Sequence, residues 1–133
     1  MSQQVAGDAG PAALRRVTIT VRHGEDLAEH RRQLTEAAVL WGRADIADDV
    51  CLVAMELGTN ALRHGEGDPT ITLIKENDGI LVSVWDASPT LPRVREASLD
   101  DEGGRGLAIV AGLAREYDWQ VLPSGGKTVC AYL

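Results

Sequence analysis

Apolar and polar positions switch between two periods along the chain. In residues 15–22, RRVTITVR, the residues Val17, Ile19 and Val21 fall on one side of an alternating run, which predicts a half-buried strand. Over residues 25–41 the spacing becomes helical, with Leu27, Leu34, Ala37, Ala38 and Trp41 recurring on one face before Gly42. A second helix is predicted over residues 45–64. Its stripe is Ile46, Val50, Val53, Leu57 and Ala61, and Gly65 stands at the capping position. Alternation returns in residues 70–75 and 79–86, joined by the turn-forming Asn77-Asp78-Gly79, so a hairpin is expected. Residues 87–103 are polar, contain two prolines and predict a long loop. A third helix is expected over residues 106–116. Strands over residues 118–122 and 127–133 follow, linked by Pro123-Ser124-Gly125-Gly126.

Strand, two helices, two strands, helix, two strands is the resulting order. Three helices can cover one face of a sheet, so the fold class expected is a two-layer α/β sandwich with a mixed, mostly antiparallel sheet. The other face keeps Leu81 and Trp85 by alternation, which leaves it open to pairing with a second copy as a homodimer. At 133 residues, with 44% hydrophobic and 25% charged residues, the chain has the composition of one globular domain. The expected organisation is a flexible tail over residues 1–14 and a single domain over residues 15–133. A formal net charge of −7 opposes a phosphate backbone, so nucleic acid is not an expected partner. No apolar run is long enough to span a membrane. The first residues lack the cationic start and apolar segment of a secretory signal, so a cytoplasmic location is expected. Cys51 and Cys130 lie far apart with no CxxC spacing, and a buried free thiol is the plain reading of each. His23, His30 and His64 show no zinc-like pattern.

Within the second helix, Glu56, Asn60 and His64 follow one another at four-residue steps, each about 40° round from the last. All three flank the apolar stripe. A half-buried carboxylate or amide needs partners; these are either ligand groups or neighbours such as Arg63. Asp86 ends a strand whose Ile80, Val82 and Val84 share its face. There it either accepts from a ligand's amino group or starts an Asx turn into Ser88-Pro89. The run GGRGLAIV, residues 103–110, carries three glycines into a helix. It is either an approach for phosphates or a hinge for the loop before it. Residues 125–128, GGKT, imitate the end of a P-loop, but Val121 replaces its first glycine and a strand follows. Thr128 alternates with Cys130 and Tyr132, so its hydroxyl either reaches a ligand beneath the sheet or pairs across strands. No GxSxG elbow supports a serine hydrolase.

In order along the chain stand E-L-x-T-N-A-x-R-H on a helix, D-x-S-P after a strand, G-R-G-L at a helix start and G-K-T in the last strand. Together they resemble the GHKL (histidine-kinase-like) ATPase domain, in its compact bacterial branch of anti-sigma-factor serine/threonine kinases. The resemblance covers nearly all of residues 15–133 and implies the Bergerat-type ATP-binding fold. It also implies ATP and Mg²⁺ as cofactors, with Asn60 as the metal ligand. Glu56 is implied as the catalytic base that deprotonates a protein serine or threonine hydroxyl. Asp86 would accept from the adenine amino group, supported by Thr128 through water. Gly104, Arg105, Gly106 and Leu107 would wrap the phosphates under a lid of residues 89–103. Arg63 and His64 match the end of the first motif. One departure is that D-A-S-P stands where the family commonly has D-x-G-x-G, so Ser88 replaces a glycine that lies close to the base.

The function this implies is an ATP-dependent serine/threonine kinase and anti-sigma factor that switches partners with an antagonist protein, its phosphoacceptor. A nucleotide-gated binding module without transfer activity is the alternative, and a small ATP hydrolase a third. Retention of both Glu56 and Asn60 favours the kinase, since a pure binder needs no base.

Overall fold

The computed structural model describes residues 15–89 and 102–133, and of residues 102–107 the backbone alone. The expected tail, residues 1–14, and most of the expected lid lie outside the described residues. Chain order runs β1 (Arg16–Thr20), α1 (Ala28–Leu40), a single 3-10 turn (Ala44–Ile46), α2 (Ala47–His64), β2 (Thr70–Glu76), β3 (Gly79–Asp86), α3 (Glu102–Leu113), β4 (Glu116–Val121) and β5 (Lys127–Tyr132). The strands form one sheet in the order β1-β2-β3-β5-β4, and every neighbouring pair is antiparallel. The mixed sheet expected from the sequence is therefore wholly antiparallel. Its cause is the insertion of β5 between β3 and β4: these two run the same way, and the strand between them runs against both.

Local chemistry sets the helix ends. α1 starts at Ala28, later than its apolar spacing suggests, because the residues before it serve the loop. Glu25 Oε1 accepts from the Arg22 N–H at 2.6 Å and from His30 Nε2 at 2.8 Å. The His30 hydrogen bond, then the Arg22 amide, hold the Glu25 carboxyl below its ordinary range. Asp26 Oδ1 accepts from the Ala28 N–H at 2.9 Å. At the other end Gly42 has φ +81°, its N–H reaches the Val39 carbonyl, and the Arg43 N–H reaches the Ala38 carbonyl. That pair of bonds is a Schellman closure. α3 starts at Glu102, a turn before the expected position, and so takes the G-R-G-L residues into its first turns. Glycine disfavours a helix interior by about 1 kcal/mol each. Packing against α2, with Val110 wholly buried, outweighs that preference.

All three helices lie on one face of the sheet. Ile71, Leu73, Ile80, Val82 and Val84 present fully buried side chains to Leu34, Val50, Val53 and Val110. Opposite them, the outer face is largely polar. Thr72, Ser83, Cys130 and Asp118 follow one another across β2, β3, β5 and β4 by register, with Ile74, Leu81 and Trp85 among the apolar exceptions. Cys51 and Cys130 are half-buried free thiols. No helix among the described residues is long and apolar enough to cross a membrane.

Candidate nucleotide site

The C-terminal half of α2 meets the C-terminal end of β3. Gly58 lets the helix lie close on the sheet beside β3: a Cβ there would lie 2.7 Å from Ile71 Cδ1 of β2 and 3.6 Å from Val21 Cγ2. One turn beyond the stripe, the helix stops at Gly65, whose N–H donates to the Ala61 carbonyl at 2.8 Å. A Cβ on Gly65 would lie 2.6 Å from Asp86 Cγ, so the helix end rests directly on the carboxylate. The next residue, Glu66, accepts from the Ala87 N–H at 3.0 Å and ties the two elements together. From below, Gly126 closes the other side: at φ +78° its missing side chain leaves room for the Asp86 carbonyl.

Asp86 shares the buried face of Ile80, Val82 and Val84, as the alternation predicts, and is 1% exposed. Its carboxylate has a partner that the sequence reading missed. Lys127 Nζ lies 3.0 Å from Oδ1 and 2.8 Å from Oδ2, with both side chains almost fully buried. Oδ1 also accepts from the Ser88 N–H at 2.8 Å, so the Asx turn expected at Ser88 is formed by the same carboxylate. The ammonium's remaining direction points to the Ser88 carbonyl at 3.4 Å. Breaking such a buried pair by deleting one partner typically costs about 3–5 kcal/mol. Ser88 itself is buried.

Lys127 displaces Thr128 from its expected place. β3 and β5 pair Asp86 with Lys127 and Trp85 with Thr128, so Thr128 shares the outer face with Trp85 and does not face Asp86. It lines an open recess there with Leu81, Cys130 and Tyr132. A signal for Lys127 was present: Lys127, Val129, Ala131 and Leu133 alternate, three apolar residues ending in a cation. The neighbouring row Ile80, Val82, Val84 ends in an anion. Two apolar rows finishing in opposite charges, side by side, predict an ion pair.

On α2, Glu56 and Asn60 are half-buried, while Arg63 and His64 are exposed at the helix end. Among the described residues, Asn60 Oδ1 is buried and has no hydrogen-bond partner. Glu56, one turn earlier, has no side-chain hydrogen bond or ion pair among the described residues. A hard cation binds through such oxygens and completes its shell with phosphate and water, so the donor chemistry of Asn60 fits Mg²⁺. Among the described residues there is no cluster of three or more acidic, His or Cys side chains to hold a metal without such help. Gly104, Arg105, Gly106 and Leu107 lie in the first turns of α3, where the backbone alone is described.

Glu56 and Asn60 thus lie in the C-terminal half of α2, Asp86 and Ser88 at the end of β3 that the helix terminus meets, and Thr128 on the other side of the sheet. Among the described residues, the helix and strand offer one orphaned oxygen, one carboxylate without a side-chain partner and one paired carboxylate at the end of a buried apolar row. No individual curated protein matches the chain. A family model does, over residues 14–133, and its description is a histidine kinase-like ATPase domain. The match spans every element of the sandwich, and the five-stranded antiparallel sheet under three helices agrees with it. ATP is the ligand this implies, and the chain belongs to the family of histidine kinase-like ATPase domains.

Proposed function

We propose that this domain binds Mg-ATP where α2 meets β3 and transfers the γ-phosphoryl group to a serine or threonine of a regulator protein. The observation that carries the reading is the pairing, one helical turn apart, of the orphaned Asn60 oxygen with the unpaired Glu56 carboxylate. Neither group is explained by packing, and together they are the parts a phosphoryl transfer requires. Bound magnesium would neutralise charge on the phosphate oxygens, with Asn60 Oδ1 as its protein ligand. Glu56 takes the proton of the acceptor hydroxyl as its oxygen bonds to the γ-phosphorus. The bond from that phosphorus to the bridging oxygen breaks, and ADP leaves with the electron pair.

Charge supports the proposed partner class. A phosphorylated serine carries nearly two negative charges at neutral pH. Against a chain of formal net charge −7, such a product is repelled and released. An antagonist that binds unphosphorylated and leaves phosphorylated would free this protein to hold a sigma factor, which is the anti-sigma role the sequence resemblance implies. Glu56→Gln keeps the shape of the side chain and removes the base. It is expected to bind Mg-ATP like the parent, by thermal shift or titration, while transfer falls about 10²- to 10⁴-fold. A parent protein that binds Mg-ATP and a regulator yet labels no serine or threonine would be a nucleotide-gated binder instead.

A further inference from the structure

We infer that the outer face of the sheet is a self-complementary surface that docks a second copy of this chain, face to face, about a two-fold axis along β3. The face is built of rows that the register sets side by side. The first runs Arg16, Ile74, Leu81, Tyr132, Glu116, from β1 across to β4. A cation stands at one end, an anion at the other, and large uncharged side chains lie between. The second row begins at Thr18 and ends at Asp118, with only hydroxyl and thiol side chains between them. The third, from Thr20 to Gln120, has Trp85 at its middle, 36% exposed, and no charge. On the three interior strands these rows hold no charged side chain, in a chain of which 25% is charged. A solvated surface normally carries about 25–35% charged residues, whereas the core of a protein–protein contact is depleted of them. Arg16 and Glu116 are both exposed and, among the described residues, have no hydrogen bond or ion pair.

Charge decides the axis. Two copies of one sheet can be laid face to face about a two-fold axis in the plane between them, running either across the strands or along them. An axis across the strands sets β4 on its own copy, with Asp118 against the partner's Asp118. An axis along β3, the middle strand of the order β1-β2-β3-β5-β4, keeps each row on itself and reverses it. Arg16 then meets the partner's Glu116, and symmetry makes this pair twice. Thr18 can donate to the partner's Asp118. Ile74 comes opposite the partner's Tyr132, over the recess that Leu81, Cys130 and Tyr132 border. Leu81 and Trp85 lie on the axis, each against its own copy. Aligned sheets cross at about 30°, and the long Arg16 and Glu116 side chains span the resulting offset at the corners. With strands about 4.8 Å apart and about 3.3 Å per residue, the five strands present a face of about 24 by 20 Å. Two copies would bury about 1,000 Å², the lower end for a specific contact. The three helices, with Glu56 and Asn60, stay on the outside of such a pair, so the inference stands apart from the nucleotide reading.

Sedimentation equilibrium of the full chain tests it, at about 0.15 M salt, where charges are screened beyond about 8 Å and the net charge of −7 on each copy opposes pairing least. The parent is expected to dimerise with a dissociation constant between about 1 and 100 μM. Arg16→Glu and Glu116→Arg each set like charges together at two places, and each should raise that constant about tenfold. The combined variant restores both pairs in reverse and should return to within about threefold of the parent. Leu81→Lys sets a cation against its own copy on the axis and should leave the chain monomeric, with its thermal transition retained. A parent that is still monomeric at about 200 μM overturns the inference. So does a dimer that either reversal leaves unchanged, or that the combined variant fails to recover, because the copies then meet by another surface. Both reversals stand at exposed edge positions, so they decide the matter even where Leu81→Lys fails to fold.

Discussion

Asn60 is the residue whose environment says most. A buried acceptor without a donor costs about 1–3 kcal/mol, so removing it should not weaken the fold as a buried deletion normally does. Asn60→Ala is expected to change stability by less than about 1 kcal/mol in chemical denaturation. The same variant should lose the magnesium dependence of ATP binding, compared with and without a chelator. A loss of several kcal/mol would make Asn60 a packing residue. Much of this residue-level picture was legible, because the 3.6-residue period alone turns Glu56 and Asn60 to the flank of the stripe. Lys127 was not read, because neighbouring strand residues point to opposite faces. Following Thr128 instead of Lys127 put the wrong side chain beside Asp86, although the apolar row ending at Lys127 contained the information.

At the level of elements, α2 against β2 is the contact on which the site's placement depends. Gly58 lets the helix sit close, and Ile71 below it is fully buried and has nowhere to move. Gly58→Ala should therefore destabilise by about 1–3 kcal/mol through overpacking, even though alanine favours helices. Equilibrium unfolding in urea measures it, and an unchanged or raised midpoint would show that the helix shifts without loss. Elements with strong periodicity were predicted nearly to their ends: β3 runs over residues 79–86 as expected, and α2 closes at His64. Glycine misled the reading in two places. Three glycines near residue 104 hid the start of α3, since low propensity was overridden by packing. Gly79 looks like a turn residue, yet it pairs with Glu76 as the first residue of β3, and the turn is Asn77-Asp78 alone. Its glycine is required instead by the Leu133 carbonyl, which lies where a Cβ would be.

For the whole molecule, the strand order is the part no local pattern could supply, since alternation gives faces and not neighbours. Placing β5 between β3 and β4 makes the last strand in chain order an interior one. Removing residues 127–133 would take away the partner of β4, expose one edge of β3 and leave Asp86 without its cation. Such a truncation should show no cooperative thermal transition by circular dichroism; a sharp transition near the parent's would mean that the remaining strands hold the sheet alone. The same order has a consequence for how the protein is made. Asp86 and Lys127 are 41 residues apart, and a ribosome adds about 5–20 residues each second. For some seconds a nascent chain therefore carries an unneutralised aspartate at the end of an unfinished sheet. The proposed nucleotide site and the sheet are finished by the same segment, so a half-made copy would lack both.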